Sequence, residues 1–147
     1  MIIILNGVIF QVFYEPEVIS EEFANSPFNL KKDCKYINEE EMIWIAENVQ
    51  AEAEANRKSD TYSILYKCNA NYKITYCKIR TEDKTRRRGK SGGYRVIALV
   101  DREDNLVFIL HVYRHSHGED DNISPADKNK LKKLIDEYNT SKREAFQ

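Results

Sequence analysis

The sequence predicts an α+β fold, with a small, mainly antiparallel sheet flanked by helices. Its 147 residues have the length of one domain, so residues 1–147 are assigned to a single domain. Runs of β-branched and aromatic residues follow one another over the second half, and their short links favour antiparallel pairing. Capped amphipathic segments beginning at Asn38 and Ser124 predict helices that would cover such a sheet.

The N-terminal segment predicts an extra hairpin ahead of the first helix. Asn6-Gly7 lies between two apolar runs within residues 1–14, and this dipeptide favours a type I′ turn. A short acidic helix is expected near residues 16–25. Residues 26–37 have no clear period and predict irregular structure.

Two helices enclose the predicted strands. Asn38 and Glu41 form a capping-box pattern, and apolar residues continue at helical spacing to about Lys58. In the last helix Ser124 is the N-cap, and the tail after Asn139 is expected to fray. Strands are expected at residues 61–68, 72–80, 93–100 and 106–115.

Composition disfavours several classes of protein. No apolar run approaches the ~18 residues that a membrane helix needs, and the N-terminus lacks the pattern of a signal peptide. The three cysteines fit no metal-ligand spacing and predict reduced thiols. We therefore expect a cytoplasmic protein with no membrane partner.

Charge is distributed unevenly along a chain of net charge −1. Residues 71–95 contain nine basic and two acidic residues, whereas residues 15–60 contain twelve acidic and five basic ones. A concentrated basic segment indicates a local anionic partner such as nucleic acid. A solvated loop paired with the acidic segment is the alternative.

An ordered series of motifs occupies residues 73–138. It consists of Cys77–Arg80, Gly89–Ile97, Leu106–Tyr113, Glu119, and Ile123-Ser124-Pro125 at the start of the last helix. This series resembles the RelE/ParE superfamily of bacterial toxins, in particular its HigB-like branch. The resemblance implies an endoribonuclease that cleaves mRNA, often on the ribosome, without a metal or another cofactor. It also implies a cognate antitoxin as partner.

Three basic residues are the candidates for binding the scissile phosphate. Arg95 resembles the family's arginine in a Gly-Tyr-Arg strand, and it is expected at the surface, where its planar fork suits phosphate oxygens. Lys78 and Arg80 lie two apart on a strand, hence on one face, and resemble the family's paired basic positions. Lys78 could act as the base if nearby cations lower its pKa. Structural ion pairs or exposed strand cations are the alternatives.

The three histidines fall within seven residues, His111, His115 and His117. A zinc site is disfavoured because no carboxylate or cysteine completes the ligand set. The resemblance implies a proton donor where the last strand ends, which suits His115, and His117 as second choice. His111 is in mid-strand and is expected to be a satisfied core or interface residue.

A basic loop after the second predicted hairpin is expected to dock RNA without taking part in the chemistry. Its candidate residues are Lys84, Arg86, Arg87, Arg88 and Lys90. The flanking Tyr72, Tyr76 and Tyr94 could stack on bases or pack within the sheet.

Three functions are consistent with these residues. The first is an mRNA endonuclease toxin that a separate antitoxin neutralises. The second is a toxin of the same fold that inhibits a protein target such as gyrase, and the third is a non-toxic nucleic-acid-binding domain. The combination of Lys78, Arg80, Arg95 and His115 favours the nuclease, because members that target proteins tend to lack such a set.

Overall fold

The computed structural model describes residues 9–55, 61–81, 93–114 and 123–145. Four α-helices and five strands lie in these ranges. In chain order they are β1 (Gln11–Phe13), α1 (Pro16–Glu22), α2 (Leu30–Asp33), a 3-10 turn (Cys34–Tyr36), α3 (Glu39–Ala55), β2 (Tyr62–Lys67), β3 (Ile74–Thr81), β4 (Tyr94–Asp101), β5 (Leu106–Arg114) and α4 (Pro125–Glu144).

The strands form one sheet in the order β1-β5-β4-β3-β2. Neighbouring strands are antiparallel except β1 and β5, which pair in parallel. This arrangement confirms the predicted α+β class and its mainly antiparallel sheet. Every residue of the central strand β4 is buried, because the strand has neighbours on both edges and its continuous apolar run is covered on both faces.

The two long helices lie on opposite faces of the sheet. Helix α3 buries an apolar stripe that includes Ile45, Val49 and Ala53, and α4 buries Leu134 and Ile135. Two consecutive residues at the end of β4, Asp101 and Arg102, contact helices on opposite faces. The Arg102 guanidinium donates to the Ala53 carbonyl of α3 at 3.0 Å, and the Asp101 carboxylate accepts from Tyr138 of α4 at 2.7 Å.

Both predicted helix starts are confirmed. The Asn38 side chain accepts a hydrogen bond from the Glu41 backbone N–H at 2.8 Å. The Ser124 hydroxyl accepts one from the Asp127 backbone N–H at 3.1 Å. In each case the side chain satisfies a backbone donor that the first helical turn leaves without a partner.

The prediction that the tail frays after Asn139 is wrong. The helix continues to Glu144, and Asn139 is buried. The Lys142 ammonium lies 2.8 Å from Asp101, 2.9 Å from Glu103 and 2.7 Å from Asp104. These long-range contacts hold the last turns of α4 against the β4–β5 turn. The spacing of apolar residues along the helix does not predict such contacts.

The N-terminal third departs from the prediction in one segment. Residues 26–37 were expected to be irregular, but they contain α2 and the 3-10 turn. The Asn29 side chain caps α2 by accepting from the Lys32 backbone N–H at 3.2 Å. The acidic helix near residues 16–25 is confirmed as α1. The predicted Asn6-Gly7 turn lies outside the described residues.

Strand β5 contains a bulge. Ile97 of β4 pairs with His111, and its neighbour Ala98 pairs with Ile109, so Leu110 is the extra residue. Side chains alternate along a strand, and an extra residue reverses the alternation beyond it. Phe108, before the bulge, therefore faces the same side of the sheet as His111, after it.

Candidate nucleic-acid interface

Three strands reach one end of the sheet side by side. Thr81 of β3, Tyr94 of β4 and Arg114 of β5 are in register there. Residues 82–92 follow β3, residues 115–122 follow β5, and both segments lie outside the described residues. The predictions for the basic loop (Lys84, Arg86, Arg87, Arg88 and Lys90) and for His115 and His117 therefore fall outside the described part of the chain.

The structure brings the predicted basic strand residues together. Arg80 pairs directly with Arg95, and Lys78 pairs with Ile97 on the same two strands. Because directly opposite residues point to the same side of a sheet, all three cations share one face. This face is opposite to α3, on the side where α4 covers the other half of the sheet. The prediction that Lys78 and Arg80 share one face is confirmed, and Arg95 lies on the same face of the next strand.

Arg95 is buried, and its predicted surface location is wrong. Only 1% of the residue is exposed, and Arg95 is one of the largest fully buried side chains among the described residues. The physical reason is its position on the central strand β4, where Arg95 has Arg80 on one side and Tyr113 on the other. An arginine in this position is held in place by the sheet around it.

Lys78 and Arg80 are half-buried on β3, next to this arginine. Like charges that lie directly opposite each other across two strands destabilise a sheet. Arg80 and Arg95 are such a pair. We refer to Lys78, Arg80 and Arg95 together as the cationic end of the sheet.

His111 is held by a residue from the N-terminal third. Its Nδ1 lies 2.7 Å from the Asp33 carboxylate of α2, and the same carboxylate oxygen accepts from the Val112 backbone N–H at 3.1 Å. The imidazole also stacks on Phe28, with ring centroids 4.2 Å apart, and on Tyr113, at 4.9 Å. The expectation of a satisfied mid-strand histidine is confirmed.

The flanking tyrosines divide into two groups. Tyr76 and Tyr94 are fully buried, which confirms sheet packing over base stacking for both. The Tyr94 hydroxyl accepts a hydrogen bond from the Arg114 guanidinium at 2.6 Å. Tyr72 is 72% exposed and remains available at the surface.

Sequence reasoning missed Asp33 and Phe28. Both lie in the segment that was expected to be irregular, about 80 residues before the strand they contact. A single Asp and a single Phe carry no motif. The sequence signal was Asn29, a residue type that caps helices, followed by the apolar Leu30. In the structure Asn29 caps α2, and Leu30 is buried.

The described residues contain no group of three or more His, Cys, Asp or Glu that could hold a metal ion. Cys34, Cys68 and Cys77 are free thiols. Burial is the main cause that raises the pKa of Cys34 to about 11, with Asp33 and Glu17 adding to it. None of the helices within the described ranges is long and apolar enough to cross a bilayer.

Comparison with known families gives one match. The family described as the RelE toxin of the RelE / RelB toxin-antitoxin system matches residues 66–147. The match spans more than half of the chain, includes the cationic end and both histidines of residues 115–122, and begins after Asp33. A search of curated proteins and a search of solved structures each found no match.

Proposed function

Because the chain belongs to the RelE toxin family of toxin–antitoxin systems, we propose that it is an mRNA endoribonuclease that inhibits translation and growth. The observation that carries this proposal is the cationic end of the sheet. Arg95 is buried directly opposite Arg80, with Lys78 on the same face. Cations fixed in place before the substrate binds are what a phosphoryl-transfer site requires, since charge develops on the phosphate oxygens.

The proposed reaction needs no metal. The 2′-oxygen of the RNA attacks the adjacent phosphorus, a P–O2′ bond forms and the P–O5′ bond breaks. The products are a 2′,3′-cyclic phosphate and a 5′-hydroxyl. Arg95, Arg80 and Lys78 would stabilise the negative charge on the pentavalent intermediate through charge-assisted hydrogen bonds. His115, with His117 as second choice, would protonate the leaving 5′-oxygen.

The remaining residues have docking roles in this proposal. Lys84, Arg86, Arg87, Arg88 and Lys90 would bind the RNA backbone, free or on the ribosome. The protein would act in the cytoplasm and be neutralised by a cognate antitoxin. Residues 1–147 would form one toxin domain, since Phe10 and Ile19 share a buried core with Leu134 and Ile135 of α4.

Induction of the gene followed by primer extension on cellular mRNA tests the proposal. We expect growth arrest and new 5′ ends within mRNA, both suppressed when the antitoxin is produced together with the toxin. Adding purified protein to a defined mRNA, with and without translating ribosomes, separates ribosome-dependent from free cleavage. Growth arrest without new RNA ends would replace the nuclease by a toxin with a protein target such as gyrase. Absence of both effects would leave a non-toxic nucleic-acid-binding domain.

A further inference from the structure

We propose that His111, oriented by Asp33, is the general base that removes the proton from the attacking 2′-hydroxyl. The inference rests on the proposed ribonuclease function and adds a catalytic residue to it. The N-terminal third of the chain, which lies outside the family match, would thereby complete the catalytic site.

The contact between the two side chains fixes the protonation pattern of the imidazole. An ionised carboxylate only accepts hydrogen bonds, so Nδ1 of His111 is the donor in its 2.7 Å contact with Asp33. In the neutral ring the other nitrogen, Nε2, then carries the lone pair and can accept a proton. The Asp33 carboxylate would stabilise the positive charge that the imidazole gains.

Both partners are held in position by further contacts. The Asp33 oxygen that contacts His111 also accepts from the Val112 backbone N–H, which anchors the carboxylate to β5. Phe28 lies parallel to the imidazole, with an interplanar angle of 1°, and Tyr113 stacks on it at 24°. The histidine side chain is 23% exposed, so the ring is restrained and still accessible. A base that is restrained in this way is suited to proton transfer.

His111 also lies at a suitable distance from the cations. Ile97 of β4 separates it from Lys78, with all three residues on one face. Adjacent strands are about 4.8 Å apart, which puts the backbones of β5 and β3 about 10 Å apart. Ile97 itself is fully buried. A phosphodiester that reaches from His111 to Lys78 would have its 2′-hydroxyl near the imidazole and its non-bridging oxygens near Lys78 and Arg80.

The step balances in protons and bonds. Nε2 of His111 takes the 2′-hydroxyl proton as the P–O2′ bond forms, and the leaving 5′-oxygen takes a proton from His115 or His117 as the P–O5′ bond breaks. Lys78 then serves as a phosphate-binding cation, and the base role that the sequence suggested for it passes to His111.

The charges around the pair come from several elements. On the helical side, Asp33 and Glu17 of α1 both lie close enough to Cys34 to raise the pKa of its thiol. The cationic end lies on the sheet side. Strand β1 carries no ionisable side chain, and α3 covers the opposite face. The imidazole is therefore hydrogen-bonded to one carboxylate, and the cationic end lies two strands away on the same face.

The variant His111→Asn separates chemistry from structure. The Asn amide nitrogen takes the place of Nδ1 and can still donate to Asp33, whereas the atom corresponding to Nε2 is lost. We expect the thermal unfolding midpoint to stay close to that of the wild type and the single-turnover cleavage rate at saturating RNA to fall about a hundredfold. The pH–rate profile of the wild type should have an acidic limb, and this limb should be absent from the variant.

A second variant, Asp33→Asn, can keep both hydrogen bonds through its amide oxygen but removes the negative charge that would stabilise the protonated imidazole. The maximal rate should therefore fall with little change in RNA affinity. Asp104→Asn, the same chemical change at the opposite end of the sheet, is the control and should cleave like the wild type.

The possible results point to different conclusions. Wild-type rate and an intact acidic limb in folded His111→Asn would overturn the inference, leave the ribonuclease function standing, and make Lys78 the base. If His111→Asn does not fold, Asp33→Asn decides by the same criteria. A wild-type protein that cleaves no RNA overturns both the proposed function and this inference.

Discussion

The two ends of β4 each bury a charged side chain, and the groups around that side chain differ between the two ends. Asp101 and Arg95 lie on the same strand and the same face, and both are fully buried. Asp101 belongs to a group of carboxylates that also includes Glu103 and Asp104, here called the anionic end. It accepts hydrogen bonds from Tyr138, from Lys142 and from the backbone N–H groups of Glu103 and Asp104. Arg95 lies directly opposite another arginine.

The different contacts of Asp101 and Arg95 indicate different roles for the two ends of β4. At the anionic end opposite charges and donors surround the buried carboxylate, so its burial ties α4 to the β4–β5 turn. At the cationic end Arg95 lies beside Arg80, and Lys78 shares their face. Cations grouped in this way attract an anionic partner. Substitutions at the first end should therefore change stability, and those at the second should change activity.

The largest effect on stability is expected from Asp101→Ala. It removes the acceptor for Lys142 and Tyr138 while both remain in place, and breaking a buried pair in this way costs about 3–5 kcal/mol. Urea denaturation monitored by circular dichroism measures the loss. Asp101→Asn, which keeps one acceptor oxygen, should lose less. A loss below about 1 kcal/mol in the free energy of unfolding for the alanine variant would contradict the stabilising role assigned to Asp101.

Arg95→Ala should have the largest effect on activity. Loss of a cation at the phosphorane costs on the order of 3 kcal/mol in the transition state, or about a hundredfold in rate. Because Arg95 is buried, the variant should also be less stable, so cleavage must be compared at a temperature where both proteins are folded. Arg95→Lys retains the charge without the planar fork and should lie between the two. Wild-type cleavage by the folded alanine variant would refute the role of the cationic end.

Proton donation should produce an effect that depends on pH. If His115 protonates the 5′-oxygen, the cleavage rate should fall as pH rises through its pKa, because the acid form is lost. His115→Gln should lower the rate at neutral pH about tenfold or more and remove this alkaline limb. His117→Gln is the matched variant, expected to change the profile less. An unchanged limb in both would make Arg114 the next candidate.

Neutralising Arg86, Arg87 and Arg88 together should weaken RNA binding and leave the saturated cleavage rate unchanged. The slope of log affinity against log salt should decrease in magnitude, since fewer counterions are released on binding. The control removes three lysines from the exposed face of α4, Lys128, Lys130 and Lys133. Equal losses in the two triple variants would mean that binding responds to net charge and not to the position of the loop.

The smallest effect concerns stability at the anionic end. The hydrogen bond from Lys142 holds the pKa of Glu103 below its ordinary value of 4.5. A depressed carboxyl pKa stabilises the fold above pH 4.5 and loses this contribution as pH falls through the folded-state pKa. Glu103→Gln should thus be less stable than the wild type at pH 7, with the difference shrinking below pH 4.5. Glu144→Gln, on the exposed end of α4, should show no such dependence.

Local patterns predicted most of the fold. Asn38 and Ser124 were identified as caps because a capping residue acts within its own helical turn. The shared face of Lys78 and Arg80 followed from two-residue alternation along one predicted strand. Each of these signals is short in range.

The features that were missed depend on contacts between distant parts of the chain. The burial of Arg95 follows from the central place of β4, which no single strand pattern reveals. The tether between Lys142 and the β4–β5 turn joins residues about 40 positions apart. The Asp33–His111 contact spans a greater distance along the chain. Side chains that come into contact only after the sheet has formed produce no periodic pattern in the sequence.

The bulge at Leu110 decides which side chains of β5 lie on the face of the cationic end. If Leu110 were paired regularly after Ile109, it would lie opposite Ile97, Val112 would lie opposite Arg95, and His111 and Tyr113 would point toward α3. Deletion of Leu110 would instead straighten the strand and leave His111 opposite Ile97. The position of the histidine therefore depends on a local irregularity in strand pairing as well as on residue identity.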